Sequence, residues 1–376
     1  MPTFDFSTKV IPEDQKIWAM HAGRRKRQIR NFLGHKVVFL EIPGFAPDAD
    51  TVQSAEKIRQ HLRLSREIYN YLLKGGALPP SRVAAAYDDQ PDPKDKGLNS
   101  ALGNVISIYR EAKVGDLILV PGKDQYSPVY AGEIASPFAV ADQSEFSPFS
   151  GEVVPFRRVN WLNIAVERRH FSSAVAKRLE NPHAIIDIRS NDSSGSIAEE
   201  IYKKVYVNYV TEHESKVAFF GKKYDSKDPT GIVDTTNLIK YFCAAYVAIE
   251  RGEIDRFAGL DFMVATRTYY PSEIVRDFSF NFNSPGKIDL KTLQKAALFV
   301  GLCIAATTAL TPAEVGAPVM VTNLGAAVAD GPLHDCAQMY NRLLTSIGAD
   351  GFEKIKIVCA EAEASIGLDT QIKRTQ

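Results

Sequence analysis

Five cations, Arg24, Arg25, Lys26, Arg27 and Arg30, fall within seven consecutive positions with no acid among them. An arginine fork matches phosphate oxygens in a bidentate way, and a lysine adds a point charge on a flexible stem. A run this dense can therefore clamp a phosphate backbone. On a helix the same run would leave Ile29, Phe32 and Leu33 on one face and spread its charges over the exposed side, which describes an ordinary solvated surface equally well. Both readings stand at this level. A second basic pair, Arg157 and Arg158, lies in "FRRVNWL". Neighbouring side chains of a strand point to opposite faces, so one of the two can meet an anion and the other is a surface charge.

Several elements must position these groups. "IWAMHAGRRKRQIRNFLGHKVVFLEIPGF" predicts a strand over 18–22, a turn at Gly23, a basic helix to Phe32 and a strand over 36–42. "VGDLILVP", "PVYAGEI" and "FRRVNWL" are short apolar or β-branched runs bounded by Gly, Pro, Asp and Ser, which predicts strands of one antiparallel sheet. Between them, Ile58, Leu62, Ile68 and Leu72 form a helical stripe stopped at Gly75 and Gly76, and 99–112 reads as a further helix. The segment 77–100 holds four prolines and four aspartates, the composition of a surface loop. A helix over 166–183 and a strand in "NPHAIIDI" close this half, and the polar "RSNDSSGS" at 189–196 marks a domain boundary.

The order of these pieces, a strand ending in "AG", a basic turn, inserted helices, a strand leaving "GD", a returning "GEI" and then "RRVNW", resembles the PUA-like barrel. It is most similar to the EVE-like version found at the front of modification-dependent (Mrr-type) restriction endonucleases, and it covers residues 12–190. The resemblance implies a reader that holds one base, often chemically modified, between aromatic side chains. Its candidates here are Trp18, Tyr126 and Trp161, with Arg24, Arg25, Lys26, Arg27, Arg30, Arg157 and Arg158 on the nucleic acid. An aromatic on a strand is more often core than cage, because strands favour aromatics anyway. The implied partner is DNA or RNA, or a nucleotide ligand, in a bacterial anti-phage defence component.

The rest of the chain, 197–376, reads as a mostly helical domain acting as an effector or binding a partner protein or a second copy of itself. The expected fold class is thus α+β: a PUA-like mixed β-barrel with inserted helices, followed by that helical domain. A restriction nuclease would add an acidic residue and then a strand with Asp or Glu, one residue, and Lys, together holding a magnesium ion. "GLDFMVATR" supplies Asp261 as a strand of that kind, but "EIVRDFSFNF", read as the next strand beyond a turn at Pro271, carries no such triplet. In "EKIKI" the residues Glu353 and Lys354 are adjacent. No P-loop, GxSxG, HExxH or GxGxxG occurs. A divergent modification-dependent nuclease remains an alternative function, with no catalytic residue assigned.

Lys and Arg number 45 and Asp and Glu number 45, so no global field draws the chain onto nucleic acid or an acidic membrane. The four cysteines form no metal-ligand spacing, and no metal or cofactor is expected. Their scatter through apolar segments fits reduced buried thiols, and the first residues lack an apolar signal region, so the expected location is cytoplasmic. The uncharged run 296–310 is shorter than the roughly twenty residues of a span. A buried helix is the expectation, and a ligand-triggered membrane-acting effector is the alternative.

Overall fold

Apolar runs punctuated by Gly, Pro and Asp become strands, and the chain folds as a mixed α/β protein. The computed structural model describes residues 1–87, 95–190, 192, 194–223, 230–270, 272–281 and 286–375. It divides into two units, Asp14–Val205, and Met1–Glu13 together with Tyr206–Gln376. Residues 88–94 of the proline-rich loop, 191 and 193 of the expected linker, and Pro271 lie outside the described residues.

Unit Asp14–Val205 is built on strands β1 (Ile17–Met20), β2 (Val37–Val38), β3 (Leu117–Pro121), β4 (Pro128–Ile134), β5 (Arg157–Glu167) and β6 (Ile185–Asp187). They pair in the order β6-β1-β3-β4-β5-β2, a curled half-barrel whose outer strands β6 and β2 are edges. The sheet is mixed, not wholly antiparallel: β1 runs parallel to β3, with Ile17 beside Leu117. A parallel pair needs a long crossover, and the inserted helices supply it.

Those helices are α1 (Ile29–His35), α2 (Ala55–Lys74) and α3 (Lys96–Ile106). Ser54 caps α2 by accepting from the Lys57 amide at 3.3 Å, and Gly75 ends it at φ +68°. Ile58, Leu62 and Ile68 of the predicted stripe are buried, whereas Leu72 is half-buried. The helix expected over 166–183 is shorter. β5 continues to Glu167, a tight turn follows at Arg168–His170, and the helix occupies Ser173–Leu179. The helix Ser196–Val205, read as opening the second half, belongs to this unit.

In the other unit, β7 (Glu214–Gly221) pairs along its whole length with β9 (Gly286–Leu293), which pairs with β8 (Val275–Asn281). A second sheet joins Thr3–Asp5 to Met320–Asn323 and Lys373–Thr375. Three long helices, α4 (Thr230–Glu250), α5 (Ala296–Ala309) and α6 (Gly331–Ile366, kinked at Gly348), build the core with them. "GLDFMVATR" is a helix, not a strand. Asp261 caps Phe262–Tyr269 by accepting from the Met263 amide at 2.9 Å, and Ala265 and Tyr269 turn inward at helical spacing. The run 296–310 forms α5 and its cap. Residues Ala296 to Thr307 are buried, as a helix apolar on every side must be. Among the described residues no helix is long and apolar enough to cross a membrane. All four cysteines are free and buried, and burial pushes Cys243 and Cys359 up to about 12. Such thiols are inert.

Candidate functional site

Of the basic run only Arg30 lies on an α-helix. Gly23, at φ +68° and ψ −177°, breaks the chain after β1, and a tight turn covers Arg24–Lys26. Arg25 and Lys26 both sit in the left-handed region, at φ +54° and +61°, an uncommon conformation for residues with a side chain. The surroundings hold it in place. The Lys26 amide donates to Gly23 O at 3.1 Å, and the Gln28 amide reaches back to Ala22 O at 3.0 Å. Helix α1 starts only at Ile29.

Glu41 fastens this turn from the segment after β2. Its carboxylate accepts from Arg27 Nε at 2.6 Å, from Gln28 Nε2 at 2.9 Å and from the Arg24 amide at 3.2 Å. Gln28 is buried and also accepts from Asn31 Nδ2 at 2.7 Å. Arg27 further donates to the Tyr69 hydroxyl at 3.3 Å. The segment that carries Glu41 is itself anchored: the Leu40 amide donates to the Tyr109 hydroxyl at 3.4 Å, and that hydroxyl donates to Pro155 O at 2.7 Å.

Turn and segment form two walls of a cavity of about 580 Å³. Arg24, Arg25, Lys26 and Glu41 give it charge; Phe39, Leu40, Ile42 and Tyr69 give it an apolar side; His21, Asn104 and Pro182 complete its edge. That volume is within the usual range for small-molecule pockets, and the mixture of apolar walls with a few convergent polar groups is characteristic of them.

One contact inside it bears on chemistry. His21 Nε2 donates to the Asn181 carbonyl, which leaves Nδ1 as an acceptor, and the Lys26 ammonium donates to it. This tautomer follows from the hydrogen-bond partners. Burial, then the charges of Lys26 and Arg168, hold the His21 imidazole below its ordinary range, against the opposing effect of the Asn181 bond. Burial and the Arg168 guanidinium bring Lys26 down to about 8.

Of the ten residues picked from the sequence, Arg24, Arg25 and Lys26 line this cavity and seven do not. Arg27 is engaged by Glu41 behind the turn, and Arg30 is exposed on α1. Arg157 is buried and donates to the carbonyls of Ile108, Ala112 and Ser136 at 2.9 to 3.0 Å, so it ties loops together and cannot reach an anion. Arg158, on the opposite face as the alternation requires, is exposed and paired with Asp142 at 3.0 Å. Trp18 is 1 % exposed and donates from Nε1 to Asp116 at 2.9 Å: it is core. Trp161 is half-buried against that core and donates to Phe32 O at 3.0 Å. Tyr126 is exposed, with the Arg169 guanidinium 5.2 Å from its ring centre. The three aromatics therefore do not form one cage.

The acid and Lys triplet sought for a nuclease does occur, on a strand that the sequence reading passed over. β9 carries Asp289-Leu290-Lys291, with Asp277 of β8 opposite Lys291. Asp289 and Lys291 are already neutralised. Lys291 is 2.9 Å from Glu214, and Asp289 is 3.0 Å from Lys287 and 3.4 Å from Lys216. Lys216 and Lys291 are almost fully buried. Among the described residues no three His, Cys, Asp or Glu side chains gather as metal ligands, and the cluster is an ion-pair network. Compared with protein-family models, with curated proteins and with solved structures, the chain matches none.

Proposed function

We propose that unit Asp14–Val205 is an EVE-like, PUA-like reader that binds nucleic acid, or a nucleotide, at the cavity beside residues 24–26. The observation that carries this reading is the placement of Arg24, Arg25 and Lys26 along one wall of a cavity whose other wall is apolar apart from Glu41, itself bonded to Arg27 and Gln28. Charges of that kind suit phosphate oxygens, and an apolar wall with Tyr69 and Asn104 at hand suits the face and edge of a base. The second unit is then the effector or the partner-binding part of an anti-phage defence component kept in the cytoplasm. The neutralised Asp289 and Lys291 lend no comparable support to a nuclease, and the buried α5 lends none to a membrane effector.

The test is a shift assay with the full chain on unmodified and modified oligonucleotides across a salt series. Binding should weaken steeply with salt, and Arg24→Ala with Arg25→Ala should lower it on every sequence and flatten the salt dependence. Binding indifferent both to salt and to these substitutions would defeat the proposal.

A further inference from the structure

We propose that Lys26 is a carbonyl-reactive amine and that the cavity captures an aldehyde carried on a nucleotide. The inference rests on the nucleotide reading above and adds a covalent step to it. Most lysines at a phosphate site remain ammonium ions, because a carboxylate or open water stabilises the charge. Lys26 has neither in full. It is half-buried in the cavity wall, its amine is bonded to the neutral imidazole of His21, and among the described residues no carboxylate forms an ion pair with it. The one nearby carboxylate on the cavity wall, Glu41, is committed to Arg27, Gln28 and the Arg24 amide. The remaining charges around it, Arg24 and Arg25 on the same turn and Arg168 from the turn after β5, are all positive. Such surroundings favour the uncharged, nucleophilic amine, as desolvation beside cations does generally.

The step balances without any redox partner. The Lys26 nitrogen attacks the aldehyde carbon, a C–N bond forms, and the carbonyl π electrons move onto oxygen as an alkoxide. One nitrogen proton passes by way of His21 Nδ1, whose ring is held by the Nε2–H bond to Asn181 O, to that oxygen and makes a hydroxyl. The second nitrogen proton follows the same route to the hydroxyl, the C–O bond breaks, water leaves, and an imine remains. Two nucleotide sources present the same group: a formyl substituent on a base, and the open-chain sugar of a site that has lost its base.

The experiment incubates the full chain with sodium cyanoborohydride and one of three oligonucleotides: one bearing formylcytosine, one bearing an abasic site, and one unmodified. Peptide mass spectrometry locates the reduced adduct. An adduct at Lys26 with either aldehyde, and none with the unmodified strand, is the expected result. The more productive aldehyde identifies the source, and Lys26→Arg should abolish the adduct. No adduct with either strand, or Lys26 modified no more than the exposed Lys113, overturns the proposal. Mapping on the unsubstituted chain does not depend on the variant's folding. Retained shift-assay binding without an adduct would count against Lys26 alone, whereas loss of all binding would count against the nucleotide reading itself.

Discussion

Glu41 Oε1 lies 2.6 Å from Arg27 Nε, and this pair links the basic turn to the segment on the far side of the cavity. The same carboxylate takes a side-chain amide and a backbone amide besides, so it organises the turn more than it neutralises it. Removing it strands several donors at once. Glu41→Ala is expected to cost about 2 kcal/mol, within the usual range for losing charge-assisted bonds, with Glu41→Gln milder. Urea denaturation of the three proteins measures this, and an unchanged midpoint for Glu41→Ala would show that the turn stands without its clasp.

Gly23 is the second support of the turn. It sits at φ +68°, and a Cβ there would lie 2.4 Å from Glu41 Oε1. Gly23→Ala thus combines backbone strain with a clash against the clasp, and a loss of roughly 1–3 kcal/mol is expected. Weaker oligonucleotide binding should accompany it, because the displaced carboxylate releases Arg27 and the Arg24 amide. A variant as stable and as tightly binding as the parent would contradict this account.

Arg157 and Trp18 separate stability from binding. Each is buried and hydrogen-bonded, so Arg157→Ala leaves three carbonyls short of a donor, and Trp18→Ala opens a large cavity beside Asp116. Losses of about 3–5 kcal/mol are expected for Trp18→Ala. Arg158→Ala, on the exposed face, should change the melting temperature little. Thermal melts on the three variants decide the matter, and a fully stable Trp18→Ala would return that residue to the list of ligand contacts.

How much of this was legible in the sequence depends on what each signal measures. Runs such as 117–121 and 128–134 report burial, and they became strands. The stripe Ile58, Leu62 and Ile68 reports one helix face, and it is buried. The charge run at 24–30 located one wall of the cavity but not its conformation, because a turn made by Gly23 and two left-handed residues leaves no periodic trace. His21, Glu41, Tyr69 and Asn104 come from four separate segments, and only the fold assembles them. A Gly two residues after a His and followed by four cations is the single local hint. Asp289 and Lys291 are not legible as such a pair because Phe262–Tyr269, apolar enough for a strand, is a helix, and the triplet falls one strand later than that reading implies.

Lys26 gives the fold a pH signature whose sign can be worked out. Its folded value is depressed from 10.5 to about 8 by burial and by Arg168. Between those values the unfolded chain holds a proton that the folded chain has shed, so stability should rise with pH across about 8 to 10.5. Below 8 both states are protonated and the contribution is flat. The clean observable is the difference between the unsubstituted chain and Lys26→Met, since other groups titrate in the same window. That difference should narrow if phosphate or an oligonucleotide is present, because a bound anion stabilises the ammonium. A difference independent of pH would place Lys26 in water.

Glu314 gives a signature of the same sign, at acid pH, in the other unit. Arg374 holds it with one contact at 3.0 Å and another at 2.5 Å, the Thr311 amide and hydroxyl add two more bonds, and its carboxyl is lowered to about 2. A depressed carboxylate contributes stability above its unfolded value of 4.5, and that contribution is lost as pH falls toward 2. Arg374 lies on Lys373–Thr375 and also donates to Ala309 O at the end of α5. Glu314→Gln should therefore flatten the acid limb of stability and expose the 373–375 strand to amide exchange first. Equal acid sensitivity of parent and variant would remove the pair from the account.

The packing of α5 decides the reading of the apolar run. Gly301 lets this helix approach β7: a Cβ there would stand 2.9 Å from Ile372 Cδ1 and 3.1 Å from Val217 Cγ1. At its start the helix is tied in place, the Ala297 amide donating to Thr292 Oγ1 at 2.7 Å and to Ser215 Oγ at 3.2 Å. With fourteen residues it measures about 21 Å, against roughly 30 Å of bilayer hydrocarbon. Gly301→Leu must push Val217 and Ile372 aside, and overpacking of this kind costs about 1–3 kcal/mol. Gly301→Ala should cost less, because only one methyl has to be accommodated. A helix destined for lipid would accept leucine freely and would place the protein in the detergent phase. Denaturation midpoints that fall in the order Gly, Ala, Leu, with all three proteins remaining in the aqueous phase, are the expected outcome, and leucine at no cost would reopen the membrane alternative.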